Sequence, residues 1–204
     1  MRAKQLAAAA RTVLSREGVA RTSLRDVAAE GGVPLGTLQY VYPTRELLLR
    51  QVIEDLVDQI STIFESSLQS GTGLADTLRL GITDFWTILV SDQDLQIMQY
   101  ELTTYSLRAP DQQHLARWQY ASYTAATARW CRDAADRADE VCAVAFEQLG
   151  RLIVASIDGL ILQYVCDADD ERAAADLAIV IDMVVRVADP RRRPGEPHAR
   201  QRHN

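Results

Sequence analysis

Hydrophobic positions recur along this chain at spacings of three and four residues, beginning near its start. Leu6, Ala10, Val13 and Leu14 form the first such stripe, which is typical of an amphipathic helix. Gly18 follows as a helix stop. The strict alternation that marks a half-buried strand is almost absent from the sequence. The pattern therefore predicts an all-α protein.

Two further short helices are predicted before residue 45. The second helix opens at Ser23, with Asp26 three residues later, a capping-box-like start in which Asp replaces the usual Glu or Gln. The glycines at 31–32 end it. The third helix begins after Pro34, reads LGTLQYVY and stops at Pro43. A sharp turn therefore separates two very short helices.

Helices this short are unstable alone, so the three must share a small core. Its expected members are Leu6, Ala10, Val13, Val27, Val33, Leu38 and Val41. A helix, a tight turn and a second short helix form the helix-turn-helix arrangement, whose second helix enters the DNA major groove. We therefore expect Thr37, Gln39 and Tyr40 on the third helix to meet base edges or phosphates.

Turn-like segments divide the remaining chain into six further helices, giving nine in all. They are expected at about 45–69, 74–91, 93–108, 111–135, 139–166 and 170–188. We assign 1–45 to a helix-turn-helix DNA-binding domain, 46–188 to a helical ligand-binding and dimerisation domain, and 189–204 to a basic tail.

Charge is distributed unevenly between these parts. Residues 1–50 hold eight basic and four acidic side chains, whereas residues 51–188 hold nine basic and 22 acidic ones. A basic head on an acidic body indicates that only the head meets a polyanion, although chance scatter would also give the head its modest charge.

The head resembles the DNA-binding signature of the TetR family of transcriptional regulators over residues 5 to 50. The resemblance rests on Gly18 closing the first helix, Thr22 before the second, the VAAEGGV turn, the GTL of the third helix and Arg45 after Pro43. It implies an all-helical homodimer with a divergent C-terminal ligand domain, usually a repressor released by a small molecule.

The third helix departs from the family pattern, which often has Tyr after GTL, then Tyr or His, then Phe. Gln39, Val41 and Tyr42 stand there instead, with a tyrosine at Tyr40. We assign Tyr40 to a phosphate or sugar, Gln39 to an adenine edge, and Tyr42 to the small core with its hydroxyl at the edge. Residues near helix starts suit phosphates. The full predicted DNA-binding set is Thr22, Arg25, Leu35, Gly36, Thr37, Gln39, Tyr40 and Arg45.

The last two helices favour assembly of two copies. Ten of the twelve residues in LAIVIDMVVRVA are apolar, and the preceding helix carries the small residues Ala155, Ser156 and Gly159. Two such helices from each copy would form a four-helix interface. A buried central helix in a monomer is the alternative. The predicted interface residues are Leu152, Ser156, Gly159, Val180 and Val184.

Bulky aromatic residues concentrate between residues 60 and 150, where apolar walls with a few polar groups would suit a small-molecule pocket. Its predicted residues are Trp86, Met98, Glu101, Tyr105, Trp118 and Tyr123. Glu101, flanked by apolar residues, would attract a cationic ligand. The alternatives are ordinary core packing for the aromatics and, for Glu101, a salt bridge to Arg108 or another nearby arginine.

Other classes of protein find little support. His114 is the sole histidine before the tail, Asp111-x-x-His114 has no second copy, and there is no phosphate-cradling glycine loop, so no enzyme is predicted. An architectural DNA-binding protein stays an alternative, although the acidic body would repel neighbouring duplex. Three cysteines lack metal-ligand spacing, so no metal or cofactor is predicted.

We expect a cytoplasmic protein without a targeting signal or membrane association. The longest apolar stretches, at 152–166 and 177–188, carry charges and are shorter than a bilayer-spanning helix. The expected partners are double-stranded operator DNA, a small-molecule ligand and a second copy of the chain.

Overall fold

The computed structural model describes residues 2–193, with the backbone alone for residues 2, 66 and 67; the predicted basic tail from 194 onward lies outside the described residues. Within this range the all-α class and the nine helices are confirmed. The helices are α1 Arg2–Glu17, α2 Leu24–Glu30, α3 Leu35–Val41, α4 Arg45–Ser70, α5 Leu74–Val90, α6 Gln93–Arg108, α7 Gln113–Arg137, α8 Phe146–Cys166 and α9 Asp170–Ala188.

Helix starts in the head follow the predicted capping chemistry. The Ser23 hydroxyl accepts from Asp26 N at 3.4 Å, and the Asp26 carboxylate accepts from Ser23 N at 2.8 Å, so both halves of the capping box are present. Gly32 turns the chain with a φ of +63°, a conformation that costs glycine little. The local sequence thus fixes how α2 leads into α3.

The head core contains most of its predicted members. Leu6, Ala10, Val13, Val27 and Leu38 are buried. The remaining two are half-buried at its edge, and Tyr42 is buried with its hydroxyl donating to the Ala3 carbonyl at 3.1 Å, as predicted.

This hydrophobic cluster continues into the body. Leu49 and Ile53 of α4, Met98 and Leu102 of α6, and Leu115 of α7 belong to the same buried cluster as the head residues. The head therefore packs on the body through apolar side chains as well as through the continuous chain.

The predicted helix over 139–166 starts too early. Asp139 has a left-handed backbone with a φ of 56°, and the helix begins only at Phe146. The segment Glu140–Val141 (β1) pairs antiparallel with Arg191–Arg192 (β2), and the Glu140 carboxylate accepts from Leu74 N at 2.8 Å. Long-range pairing therefore overrides local helix propensity here.

α8 is longer than the apolar stretch at 152–166 that the sequence shows. It has 21 residues and a mean hydropathy of 1.5, so by length and composition it could cross a membrane. The core helix of a globular protein meets the same criterion. Here Leu149, Ile153, Ile157 and Ile161 are buried in a cluster shared with α5, α7 and α9.

Candidate DNA-binding surface, ligand cavity and subunit interface

One face of α3 is open. Gln39 is exposed and Tyr40 is 89% exposed, whereas Leu38 on the opposite face is fully buried. Apart from the adjacent residues and the nearby backbone of α3 itself, no heavy atom of the described residues lies within 4 Å of a Cβ built on Gly36. A glycine inside an exposed helix costs stability relative to alanine and gains nothing from packing here. Close approach of a partner's backbone to α3 would account for it.

Four of the other predicted contact residues divide by exposure. Arg25 on α2 is exposed, Thr37 and Leu35 are half-buried, and Leu35 packs against the head core. Thr22 is buried, and its hydroxyl donates to the Gly18 carbonyl at 2.9 Å. The Thr22 side chain therefore closes the turn after α1 and is not available to a phosphate.

Arg45 is also turned inward. Its guanidinium donates to the Val19 carbonyl, lies 4.8 Å from the centre of the Tyr105 ring, and lies 3.4 Å from the Tyr105 hydroxyl. Glu101 on α6 accepts from Val19 N at 2.7 Å. We call this set, Val19, Arg45, Glu101 and Tyr105, the Val19 clamp. It joins head to body, so Arg45 does not lie on the DNA-facing surface.

A cavity of about 720 Å³ lies between the head and the body. This volume is within the range of small-molecule sites. Helices α1, α4, α5, α6, α7 and α8 all contribute to its walls. Its apolar lining includes Leu56, Phe64, Phe85, Ile88, Ile153, Ile157 and Ile161.

Of the six predicted ligand residues, Tyr123 alone lines this cavity. Glu101 and Tyr105 belong to the Val19 clamp, and Met98 lies in the head core. The Arg50 guanidinium lies over the Trp118 ring, 4.9 Å from the centre of that ring. Trp86 is buried edge-on against Tyr164, with ring centres 5.9 Å apart. The other five predicted residues thus lie outside the lining of this cavity.

Polar side chains form one wall of the cavity. The Tyr123 hydroxyl donates to Gln99 Oε1 at 2.8 Å, and Gln119 Nε2 donates to the Tyr123 hydroxyl at 3.2 Å. Asp158 of α8 also lines this wall, and Tyr100 donates to its backbone carbonyl at 2.8 Å. This wall therefore combines the Asp158 carboxylate with neutral hydrogen-bonding side chains.

Asp158 lines the cavity but was not among the ligand residues predicted from the sequence. Burial raises the pKa of its carboxyl group, and a hydrogen bond from Tyr120 offsets part of that rise. Burial also raises the pKa of Tyr120 and of Tyr123, so both phenols stay neutral donors. The available signal was a single acidic residue within the apolar run IVASIDGLIL.

The cavity reaches the head directly. Lys4, Ala7, Ala8 and Arg11 of α1 line it, and the Arg11 guanidinium donates to Gln59 of α4 at 2.9 Å. A molecule filling this part of the cavity would therefore touch a helix whose other face forms the head core.

An apolar surface runs along α8 and α9. Its exposed members, which we call the α8–α9 face, are Leu152, Leu162, Ile179, Met183 and Val187. Apart from the adjacent residues and the nearby backbone of α8 itself, no heavy atom of the described residues comes within 4 Å of a Cβ built on Gly159.

The predicted interface set fits this surface in part. Leu152 and Gly159 are exposed, and Ser156 and Val180 are half-buried. Val184 is only 4% exposed and packs in the body core, so it is not an interface residue. On the same helix, Ile179 and Met183 point outward and are exposed.

His114 Nε2 lies 2.8 Å from Glu46 Oε1 at the protein surface. Among the residues that the structure describes, no group of three or more His, Cys, Asp or Glu side chains could hold a metal ion.

A three-helix head with an open second helix of its turn motif, joined to a six-helix body with a cavity, defines a helix-turn-helix regulator. Residues 70–190 match the family model described as tetracyclin repressor-like, C-terminal domain. The chain belongs to the TetR family of transcriptional regulators.

Known proteins of this class resemble the chain over most of its length. It is 26% identical over 171 residues to the HTH-type nicotine-responsive transcriptional repressor HdnoR of Paenarthrobacter nicotinovorans, covering 84% of this chain and 87% of that one. This relative is a transcriptional repressor by name.

Two solved structures show the same fold. A TetR-family regulator from Rhodococcus sp. is 16% identical with a TM-score of 0.75, covering 92% of this chain and 98% of that one. FadR from Bacillus subtilis, solved with stearoyl-CoA, is 17% identical with a TM-score of 0.69, covering 90% and 98%.

Proposed function

We propose that this regulator is a repressor that binds a palindromic operator as a homodimer, under the control of a small molecule in the body cavity. The observation that carries the proposal is the pairing of an open α3 with a cavity whose wall includes α1 of the same head. One helix thus belongs both to the DNA-binding head and to the ligand chamber. We retain 1–45 and 46–188 as the two functional parts, acting in the cytoplasm.

DNA recognition would use α3 and the start of α2. Gln39 and Tyr40 are exposed on α3 and suit an adenine edge and a phosphate or sugar. Gly36 would allow the helix to approach the duplex closely. Arg25 is the exposed cation that would bind a phosphate, which positions the protein without reading sequence.

Dimerisation would cover the α8–α9 face. Its exposed apolar side chains and the open Gly159 would pack against the same helices of a second copy in a four-helix arrangement. A two-fold dimer presents two α3 helices, which can enter successive major grooves if they lie about 34–36 Å apart. The operator would accordingly be a palindrome.

Ligand control would act through head position. A ligand needs a preference of only a few kcal/mol for one arrangement of the heads to change operator affinity by orders of magnitude. The cavity wall on α1 and the Val19 clamp both connect body to head, so ligand binding can tilt the two heads together. The related repressor HdnoR is nicotine-responsive by name, which supports a small organic effector here.

Selection of bound fragments from random DNA tests the core of the proposal. We expect a palindromic motif that the dimer binds in gel shifts despite excess random competitor, and that Gln39→Ala binds with relaxed sequence preference. Equal affinity for selected and random fragments would instead identify a non-specific or architectural DNA-binding protein.

A further inference from the structure

We infer that the cavity is a receptor for a protonated organic amine, whose ammonium group pairs with Asp158. This names the chemical class of the effector and so rests on the proposed function for its regulatory meaning. The binding site itself is defined by the cavity, one carboxylate and the groups around it.

The Asp158 carboxyl group is largely buried in the ligand-free protein. Its carboxyl group lies on α8 between Ile157 and Ile161, which line the cavity with it. The influences on this carboxyl are burial and the Tyr120 hydroxyl, and no basic side chain of the described residues is among them. A desolvated carboxylate without a cation is costly, because neutral donors do not neutralise its charge. A cationic ligand group would supply the missing partner.

The polar wall offers hydrogen-bond acceptors in addition to Asp158. Gln99 and Tyr123 lie on the same wall as Asp158, already bonded to each other at 2.8 Å. Their oxygen atoms can accept further hydrogen bonds, and an ammonium group has only donors. An amine can therefore meet Asp158 and neutral acceptors together, whereas a carboxylate would meet like charge.

Aromatic and aliphatic side chains line much of the rest of the cavity. Phe64 and Phe85 line it with ring centres 5.4 Å apart, and aliphatic side chains complete the wall. Such walls suit an aromatic or aliphatic ligand body, and aromatic faces attract cations. Four carboxylates and two basic side chains line the whole cavity, so its charge also favours a cation.

The two basic groups of the cavity lie on α1 and not on α8, the helix that carries Asp158. Lys4 and Arg11 both come from α1, and Arg11 is engaged with Gln59. An anionic ligand would meet four carboxylates in the cavity lining as well as these two cations. Fatty acids are therefore expected to bind poorly.

Calorimetric titration of the full-length protein with matched probe pairs tests this assignment. The pairs are nicotine with its uncharged lactam cotinine, and 4-phenylbutylamine with 4-phenylbutan-1-ol. We expect each amine to bind at least about tenfold more tightly than its neutral match, as for hydrogen bonds to charged groups.

Asp158→Asn should remove that advantage, because the amide keeps the shape and loses the charge. Asp58→Asn is the matched control: this carboxylate also lines the cavity but is exposed, so its loss should change amine affinity by less than about fivefold. As a measurement on the unchanged protein, the ¹³C carboxyl resonance of Asp158 should shift on saturation with 4-phenylbutylamine.

Three results would overturn the inference: no amine of the set binds, the neutral matches bind equally well, or the amine advantage persists in Asp158→Asn. Tighter binding of decanoate than of 4-phenylbutylamine would do the same. Operator binding is measured separately. Amines that bind at Asp158 and leave operator affinity unchanged would refute regulation, whereas operator release by an uncharged compound alone would refute the amine assignment.

Discussion

Glu101 of α6 accepts a hydrogen bond from the backbone N–H of Val19 at 2.7 Å, across 82 residues of sequence. Val19 follows directly on Gly18, whose φ of +86° turns the chain out of α1. A Cβ on Gly18 would lie 3.0 Å from the Glu101 carboxylate, tighter than most such contacts, so this approach and the positive φ both favour glycine. The end of the first head helix is therefore fixed by a body side chain.

Glu101→Ala should destabilise the protein without weakening amine binding. Val19 is fully buried, and losing the acceptor for its N–H costs about 1–3 kcal/mol. Thermal melts should show a midpoint lower by roughly 2–4 °C for each kcal/mol. Glu101→Gln keeps an acceptor and should lose less. An amine affinity that falls with Glu101→Gln would return this residue to the ligand site.

Arg25→Ala should weaken binding to all DNA sequences alike and reduce the salt slope by about 1, because a phosphate contact carries no base information. Gln39→Ala should instead cost about 1–3 kcal/mol at one base pair of each half-site. Affinities measured at several salt concentrations, with matched and substituted operators, separate the two. Base discrimination lost with Arg25→Ala and kept with Gln39→Ala would reverse these roles.

Met183→Glu should give a folded monomer. Its side chain is 51% exposed on the α8–α9 face, so a charge there opposes dimerisation while leaving the subunit core intact. Light scattering reports the mass and circular dichroism the helix content.

Val184→Glu is the contrasting variant, because it buries a charge in the core and should unfold the subunit. A Met183→Glu protein that stays dimeric would place the subunit interface elsewhere.

Asp158→Asn should stabilise the ligand-free protein near neutral pH. The carboxyl pKa is raised from its ordinary 3.8 in the folded state, so its favourable contribution is complete below 3.8 and is lost as pH rises through the raised pKa. The melting temperature of the variant should exceed that of the natural protein by a margin that grows with pH over this window. A margin that shrinks with rising pH would contradict the burial of this group.

The affinity of the natural protein for amines should rise with pH over the same window in which the ionised Asp158 lowers the stability of the ligand-free protein. The carboxylate must be ionised to pair with an ammonium group, so affinity should fall as pH drops through the raised Asp158 pKa. The difference between the natural protein and Asp158→Asn isolates this effect from Asp55, Asp58 and Asp92, which also line the cavity.

Local signals in the sequence predicted the head well. The Ser23–Asp26 capping box and the buried Leu38 depend on neighbours within a few residues, so spacing alone revealed them. Arg45 and Thr22 were misplaced because a basic or polar residue at a helix start suits a phosphate equally well in sequence. Their actual partners, Val19 and Gly18, depend on how α1, α4 and α6 meet.

The proposed ligand site was harder to predict because the cavity is lined by six helices, some of them distant in sequence. Glu101 and Asp158 are both acidic residues in largely apolar surroundings, and periodicity does not distinguish them. Only the three-dimensional packing places the first at a backbone N–H and the second at the cavity wall. Val184 was similarly one helical position away from the outward-facing Met183.

The double use of α1 restricts how this regulator can acquire new specificity. Leu6 and Val13 support the head core, while Ala8 and Arg11 border the ligand chamber. If the proposed function holds, a substitution on α1 that admits a new effector is expected to alter operator binding as well. Ile88 of α5 and Val154 of α8 line the chamber far from the head in sequence. A biosensor with altered effector preference and an unchanged operator is best sought by varying those two walls.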